Sequence, residues 1–391
     1  MFVTSPSKRN IRLSSFEFGN LIGRAGRIRD SLYGIIYCIE DANEEKQWAE
    51  AFYNSSFKKD IVPATRRVLQ NTQAVIDNIE NLAIAVRNGS IAATITSLRH
   101  HYINSPEGFN KYLSTKKLNQ EDILKIINPV SRSMEAVSIP QKVLRLNPNI
   151  DPLLQDILYN SIKEEGVEQW VIVPNPNFHK RIIAEHLEQY KHEERSFYWQ
   201  FTTLCEKLDT IFTVKLESYY KLGFSISVRQ MAFSAFRWMG NASLKEIINE
   251  DILFHSEKRK SIDANSEVDI NQRINAVISI HSKLVTFLLT KYFKLLSDVL
   301  AGLMTEEQAQ RFKFTLSLPV MLELGSTESY VIQLISAGIT RTVALQLFRE
   351  FKKVNSYKEI DIFFWMSFEQ NILGINKIFV RYLIKLGFVT R

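Results

Sequence analysis

From His179 onward, apolar residues recur at helical spacing, with breaks, to the end of the sequence. The exceptions lie mostly earlier. Phe2-Val3-Thr4 is a short extended run, and Ile35 to Ile39 is a compact β-branched run that reads as a buried strand. Between them Ser14 and Glu17 form a capping box, followed by Phe18, Leu21, Ile22, Ala25 and Ile28 at helical spacing. Strand, helix and strand in about forty residues make one α/β unit, too small to bury both faces of a sheet. Helices are expected over 43–54 and 64–86, over 120–127 behind the cap Asn119, and over 153–165 behind Asp151-Pro152. Trp170 to Val173, closed by Pro174-Asn175-Pro176, reads as a later strand, and the polar stretch 256–271 as a loop. No repeat of fixed period emerges.

Composition sharpens the picture. The 391 residues are 45% hydrophobic and 23% charged, with 25 Phe, enough for two or three folded domains. Only 14 Gly and 10 Pro argue against many turn-linked strands and for helices. The formal charge of +7 is compatible with a polyanionic partner without requiring one. Cys38 and Cys205 offer neither a disulfide framework nor zinc spacing, and His186 and His192 are six apart, so no metal site is expected. No run of 18 apolar residues occurs, so no membrane span is expected, and residues 1–10 lack the apolar core of a secretory signal. A cytoplasmic setting follows from these readings.

The run Asn20-Leu21-Ile22-Gly23-Arg24-Ala25-Gly26-Arg27 carries the chemistry. Each glycine inside a helix costs about 1 kcal/mol relative to Ala, and close approach by another surface is a reason to keep one. Arg24 and Arg27 are three apart and so share a helix face. Their guanidinium forks match phosphate oxygens.

This run resembles the sixth conserved motif of superfamily-two helicases, above all the superkiller-like group, Gln-x-x-Gly-Arg-Ala-Gly-Arg. The resemblance implies a helix of the second RecA-like lobe, with an extended run before it and a strand after it. Arg24 and Arg27 would then be arginine fingers on the γ-phosphate of ATP, and Asn20, Gly23 and Gly26 would contribute to nucleotide contact. Asn20 stands where the family usually has Gln. The first lobe should supply a Gly-Lys-Ser/Thr phosphate loop and an Asp-Glu box for Mg²⁺. Neither a Gly-Lys nor an Asp-Glu dipeptide occurs in this sequence. The expectation is therefore a chain that holds no ATP or Mg²⁺ alone and needs that lobe, fused or separate. A truncated chain, a fragmentary reading frame and one half of a split enzyme all remain open.

Two further stretches resemble parts of the same helicases. Phe236 to Ile247, with Arg237, Trp238, Gly240 and Leu244, is similar to a stretch of the helical domains behind the motor; an ordinary helix–turn–helix with a core Trp fits equally. Leu334 to Leu347, with Gly338-Ile339 and Arg341, resembles half of a helix–hairpin–helix, in which Arg341 would meet a phosphate. The cluster Arg195 to Trp199 could stack on unpaired bases, and Lys58-Lys59, Arg66-Arg67 and Lys258-Arg259-Lys260 could follow a phosphate backbone. The architecture expected is mainly α: a small α/β remnant of a RecA-like lobe over 1–45, a winged-helix-like accessory region over 46–175, a helical bundle over 176–325 and hairpin-like helices over 326–391. The partner expected is single-stranded DNA or RNA. The alternative is a stand-alone helical module that binds nucleic acid or protein, with Arg24 and Arg27 as ordinary phosphate contacts.

Overall fold

The computed structural model describes residues 2–3, 7–8, 11–12 and 37–38 as strands, and residues 64–79 and 89–389 apart from 117, 181, 182 and 264. The fold is mainly helical. The chain divides into two compact units, Met1–Arg67 and Val68–Arg391.

In the first unit β1 (Phe2–Val3) pairs in parallel with β4 (Tyr37–Cys38), setting Phe2 opposite Tyr37 and Val3 opposite Cys38. Parallel neighbours cannot be joined by a hairpin and need a crossover. β2 (Ser7–Lys8) and β3 (Ile11–Arg12) pair antiparallel, a ribbon that the apolar pattern does not announce. The helices expected after Ser14 and over 43–54 lie outside the described residues.

The second unit opens within the last turn of α1 (Ala64–Leu69) and continues with α2 (Thr72–Ile79), α3 (Gly89–Asn104), α4 (Pro106–Ser114) and α5 (Gln120–Met134) around Leu69, Val75, Ile79, Leu98, Phe109, Ile126 and Val130. The expected helix over 64–86 breaks at residues 70–71. The helix capped by Asn119 outruns its expected end and passes through Pro129, because burying Ile126, Val130 and Met134 on one face outweighs the roughly 3 kcal/mol cost of an internal proline. Arg99, almost fully buried on α3, donates to Asp151 Oδ2 at 2.6 Å and to the Ile79 carbonyl. That charge is tolerable because it is paired and hydrogen-bonded. After α6 (Gln141–Leu146), Asp151 also caps α7 (Pro152–Glu165), as its sequence signal implies.

The largest core is a bundle. It packs α7 with α8 (Phe197–Phe212), α9 (Val214–Leu222) and α10 (Val228–Met239), and α11 (Leu244–Leu253) follows. One long helix then runs from Glu267 to Leu303: α12 (Glu267–Ser279), π turns over Ile280–Leu289, and α13 (Thr290–Leu303). Two short helices, α14 (Glu306–Arg311) and α15 (Lys313–Leu316), lead to α16 (Leu318–Leu324). α8 buries Phe201, Leu204, Cys205, Leu208 and Phe212 at i, i+3 and i+4 spacing. The final core gathers α17 (Ser329–Ser336), α18 (Arg341–Phe351), α19 (Ile362–Met366) and α20 (Lys377–Lys385).

The later strand expected at Trp170 to Val173 is absent as a ladder. Trp170 ends a 3₁₀ turn, and Val171 and Ile172, buried, and Val173, half-buried, run on without a partner strand. Side chains satisfy the backbone instead. Thr315 Oγ1 accepts from the Ile172 N–H at 2.8 Å and donates to the Ile172 carbonyl at 3.3 Å. Gln200 accepts from Val173 N–H at 2.7 Å and returns a bond to its carbonyl at 3.0 Å. The stretch expected as a loop is shorter than 256–271, since π turns occupy Phe254–Lys258 and α12 starts at Glu267.

Because Thr315 and Ile172 are both buried, Thr315→Val should keep the shape but orphan the Ile172 N–H. Denaturant unfolding should show a loss of about 1–3 kcal/mol; a variant as stable as the parent would mean the segment is held by packing alone.

Candidate nucleic-acid interface

Of the residues singled out by sequence, Asn20, Gly23, Arg24, Gly26 and Arg27 lie outside the described residues. The other three, Arg237, Trp238 and Arg341, fall in the second unit, and the fold brings two of them face to face.

Trp238 and Arg341 are 103 positions apart in sequence, yet the Arg341 guanidinium lies 3.6 Å from the Trp238 ring centroid. The same guanidinium donates to the carbonyls of Gly325 (2.8 Å), Trp238 (3.0 Å) and Ala242 (3.1 Å). The indole N–H donates to the Leu322 carbonyl at 2.9 Å. These acceptors belong to the last turns of α10 and α16 and the residues just beyond, where helix carbonyls lack internal partners. Gly325 ends α16 at φ +71°, and a Cβ there would lie 2.2 Å from Trp238 Cε2 and 2.6 Å from Arg341 Nε. A glycine is required on both counts. On the ring's other flank His281 makes an edge contact at 4.1 Å, with its Nε2 buried and unpartnered. Burial first, and then the Arg341 charge, push the His281 pKa down to about 4. Burial also lowers Arg341, opposed by Glu246, to about 10, which leaves it charged at neutral pH.

Arg237, one position before Trp238, points elsewhere. Its guanidinium pairs with both oxygens of Glu250, with Nε donating at 2.9 Å. This pair stands on the wall of a groove of about 800 Å³. The groove is lined by Phe178, Tyr198, Trp199, Phe233 and Phe236, with His179 and Lys180 at its exposed side. It is positioned by the first turn of α8 and the outer face of α10. Tyr198 sits 5.4 Å from Phe236 and 6.2 Å edge-on from Phe233, whose ring is half exposed. Ser196, fully buried at the start of α8 and among the lining residues, has an Oγ with no hydrogen-bond partner. Arg229 packs over Trp199 at 5.7 Å and is paired with Glu206. Flat aromatic faces beside a neutralised arginine can stack a planar apolar group, with Lys180 the cation at the exposed side.

The sequence cluster Arg195 to Trp199 therefore splits as its composition suggests. Phe197 enters the core, Arg195 donates to the Tyr190 carbonyl at 3.2 Å, and Tyr198 and Trp199 face the groove. The sequence does not mark Phe178 or Phe233, and it marks Phe236 only as the start of a helix stretch, since spacing alone cannot tell a core phenylalanine from a groove wall. His192 bonds the Val171 carbonyl at 2.8 Å, and no group of residues suited to a metal ion occurs among the described residues. The turn at Gly338 (φ +94°) joins α17 to α18, and its Ile339 N–H closes the helix end onto the Leu334 carbonyl. No known protein family, no curated protein and no solved structure matches this chain.

The His281 environment generates a pH dependence. Its folded pKa is depressed, so between about 6.5 and about 4 the unfolded chain binds the extra proton. Stability should thus be complete above pH 6.5 and fall as the pH drops toward 4. Thermal melts at pH 7 and pH 5 should show a larger drop for the parent than for His281→Phe; equal drops would place the titrating group elsewhere.

Proposed function

We propose that this chain is the C-terminal portion of an ATP-dependent DNA or RNA helicase. It would supply the arginine fingers and a helical accessory region that guides one strand. The observation that carries the reading is the placement of Asn20 to Arg27 between two short strands, Phe2–Val3 and Tyr37–Cys38, that pair in parallel. A strand, an arginine-bearing run and a parallel strand form the local order that the helicase resemblance implies. Arg24 and Arg27 would stabilise charge on the transferring γ-phosphate from across a cleft. ATP and Mg²⁺ would be bound chiefly by a lobe bearing the phosphate loop and the metal carboxylates, which these 391 residues do not encode. Asn20, Gly23 and Gly26 would shape the finger side of that cleft. The accessory region would comprise a winged-helix-like section within 46–175 and the bundle behind it. The described residues of 64–165 form helices joined by turns and irregular links, with no strand among them, so a wing would have to lie outside the described residues. The aromatic groove gives an unpaired base a surface to stack on, which favours a single strand over a duplex.

The test uses the chain together with whatever polypeptide, fused or copurifying from its native source, carries Gly-Lys-Thr and Asp-Glu motifs. Arg24→Ala and Arg27→Ala should each lower ATP turnover of that assembly about a thousand-fold or more, while oligonucleotide binding stays within about two-fold. Loss of binding and of its salt dependence with turnover intact, or an assembly with no ATPase, would sink the motor reading in favour of a binding module.

A further inference from the structure

The C-terminal core contains a second turn with the residue order of the one at Gly338, although only Gly338 has a positive φ. Gly338-Ile339-Thr340-Arg341 and Gly374-Ile375-Asn376-Lys377 each place a buried Ile after Gly, then the residue that caps a helix, then a basic residue that opens it. α20 also touches the first of these turns: the Tyr382 hydroxyl donates to the Gly338 carbonyl at 3.2 Å. They differ in where their charge goes. Arg341 is turned inward and spent on the carbonyls around Trp238. Lys377, Arg381 and Lys385 on α20 are all exposed.

Four-residue steps put these three cations on one face of the helix, each about 6 Å further along the axis. Like charges at that spacing destabilise an isolated helix. None of the three has an acidic partner within ion-pairing distance among the described residues, although Lys353 nearby is paired with Glu350 at 2.7 Å. The opposite face of α20 buries Leu383 and packs Phe379 against the core, and Val380 and Ile384 pack along the flank next to Lys377, so the cation-bearing face is kept outward. We infer that this row is a contact surface for the sugar–phosphate backbone of a nucleic acid, and that it takes the phosphate-facing role the sequence assigns to Arg341. A membrane-surface helix would instead centre its outward arc on apolar residues; here the arc is centred on the three cations, with the exposed Ile378 and Leu386 along one flank. The inference rests on the nucleic-acid half of the proposed function and is indifferent to its motor half.

The test is salt-dependent binding of the full chain to a mixed-sequence oligonucleotide, single-stranded and duplex, without ATP. Lys377→Gln/Arg381→Gln/Lys385→Gln should melt like the parent, since all three side chains are exposed. Its slope of log affinity against log salt should shrink by about 2.7 on duplex and about 2.1 on a single strand, at 0.9 or 0.7 per phosphate. Between 50 and 200 mM salt the parent should therefore lose about forty-fold more duplex affinity than the variant. Arg341→Lys should do the reverse, lowering the melting temperature while leaving the slope unchanged. An unchanged slope in the triple variant, or a loss confined to binding of phosphatidylserine vesicles, would overturn the inference. A reduced slope in a chain whose assembly shows no ATPase would leave this surface standing and remove only the motor.

Discussion

Two helices of the bundle end at the same place, and one cation makes that possible. The C-termini of α10 and α16 each present unpaired carbonyls and the negative end of a helix dipole. Packed side by side, such ends repel and lose their water. The Arg341 guanidinium enters from the first turn of α18 and takes the carbonyls of Trp238, Ala242 and Gly325 together. The Trp238 indole covers the face of that guanidinium and takes the Leu322 carbonyl with its own N–H. Thr327 N–H takes the Met239 carbonyl at 3.0 Å. The planar fork of arginine suits this task because it donates in several directions while stacking on a ring, which an ammonium cannot do. The contact ties the bundle to the C-terminal core, so it fixes the groove on α10 relative to the cation row on α20.

Consecutive residues on α10 show how one helix serves two purposes. Successive side chains project about 100° apart, as the 3.6-residue turn requires. Arg237 therefore reaches Glu250 at the groove while Trp238 turns to the junction with α16 and α18. Moving either would disturb the other, because Phe233 and Phe236 on the same helix also line the groove.

What the sequence makes legible is local. The caps at Asn119 and Asp151 are read correctly because the signal and the hydrogen bond lie within three residues of each other. The mainly helical character follows from periodicity and from the scarcity of Gly and Pro. The failures come from long-range partners. Val171 to Val173 have strand-like composition, but Thr315 and Gln200, far along the chain, do the work of a neighbouring strand. Arg341 has the sequence setting of a phosphate contact, and only Trp238, 103 positions away, reveals that its charge is used inside the protein. The row on α20 was legible as four-residue spacing, but its exposure and its lack of acidic partners belong to the fold.

The two surfaces differ in physics as well as place. In the groove Glu250 neutralises Arg237, and Lys180 stands at the exposed side. What remains there is mainly aromatic area, and stacking on an aromatic face is tolerant of sequence and only weakly affected by salt. On α20 no carboxylate among the described residues pairs with the three cations, so attraction of a polyanion there would come from charge and counterion release. A strand that met both would be drawn in by the cation row and held by its bases in the groove, and only the first contribution would fade as salt is raised. One surface without the other would give either strong salt dependence with no preference for unpaired bases, or that preference with little salt dependence. The junction at Arg341 holds α10 and α18 together, while α20 is bonded to the Gly338 turn that leads into α18.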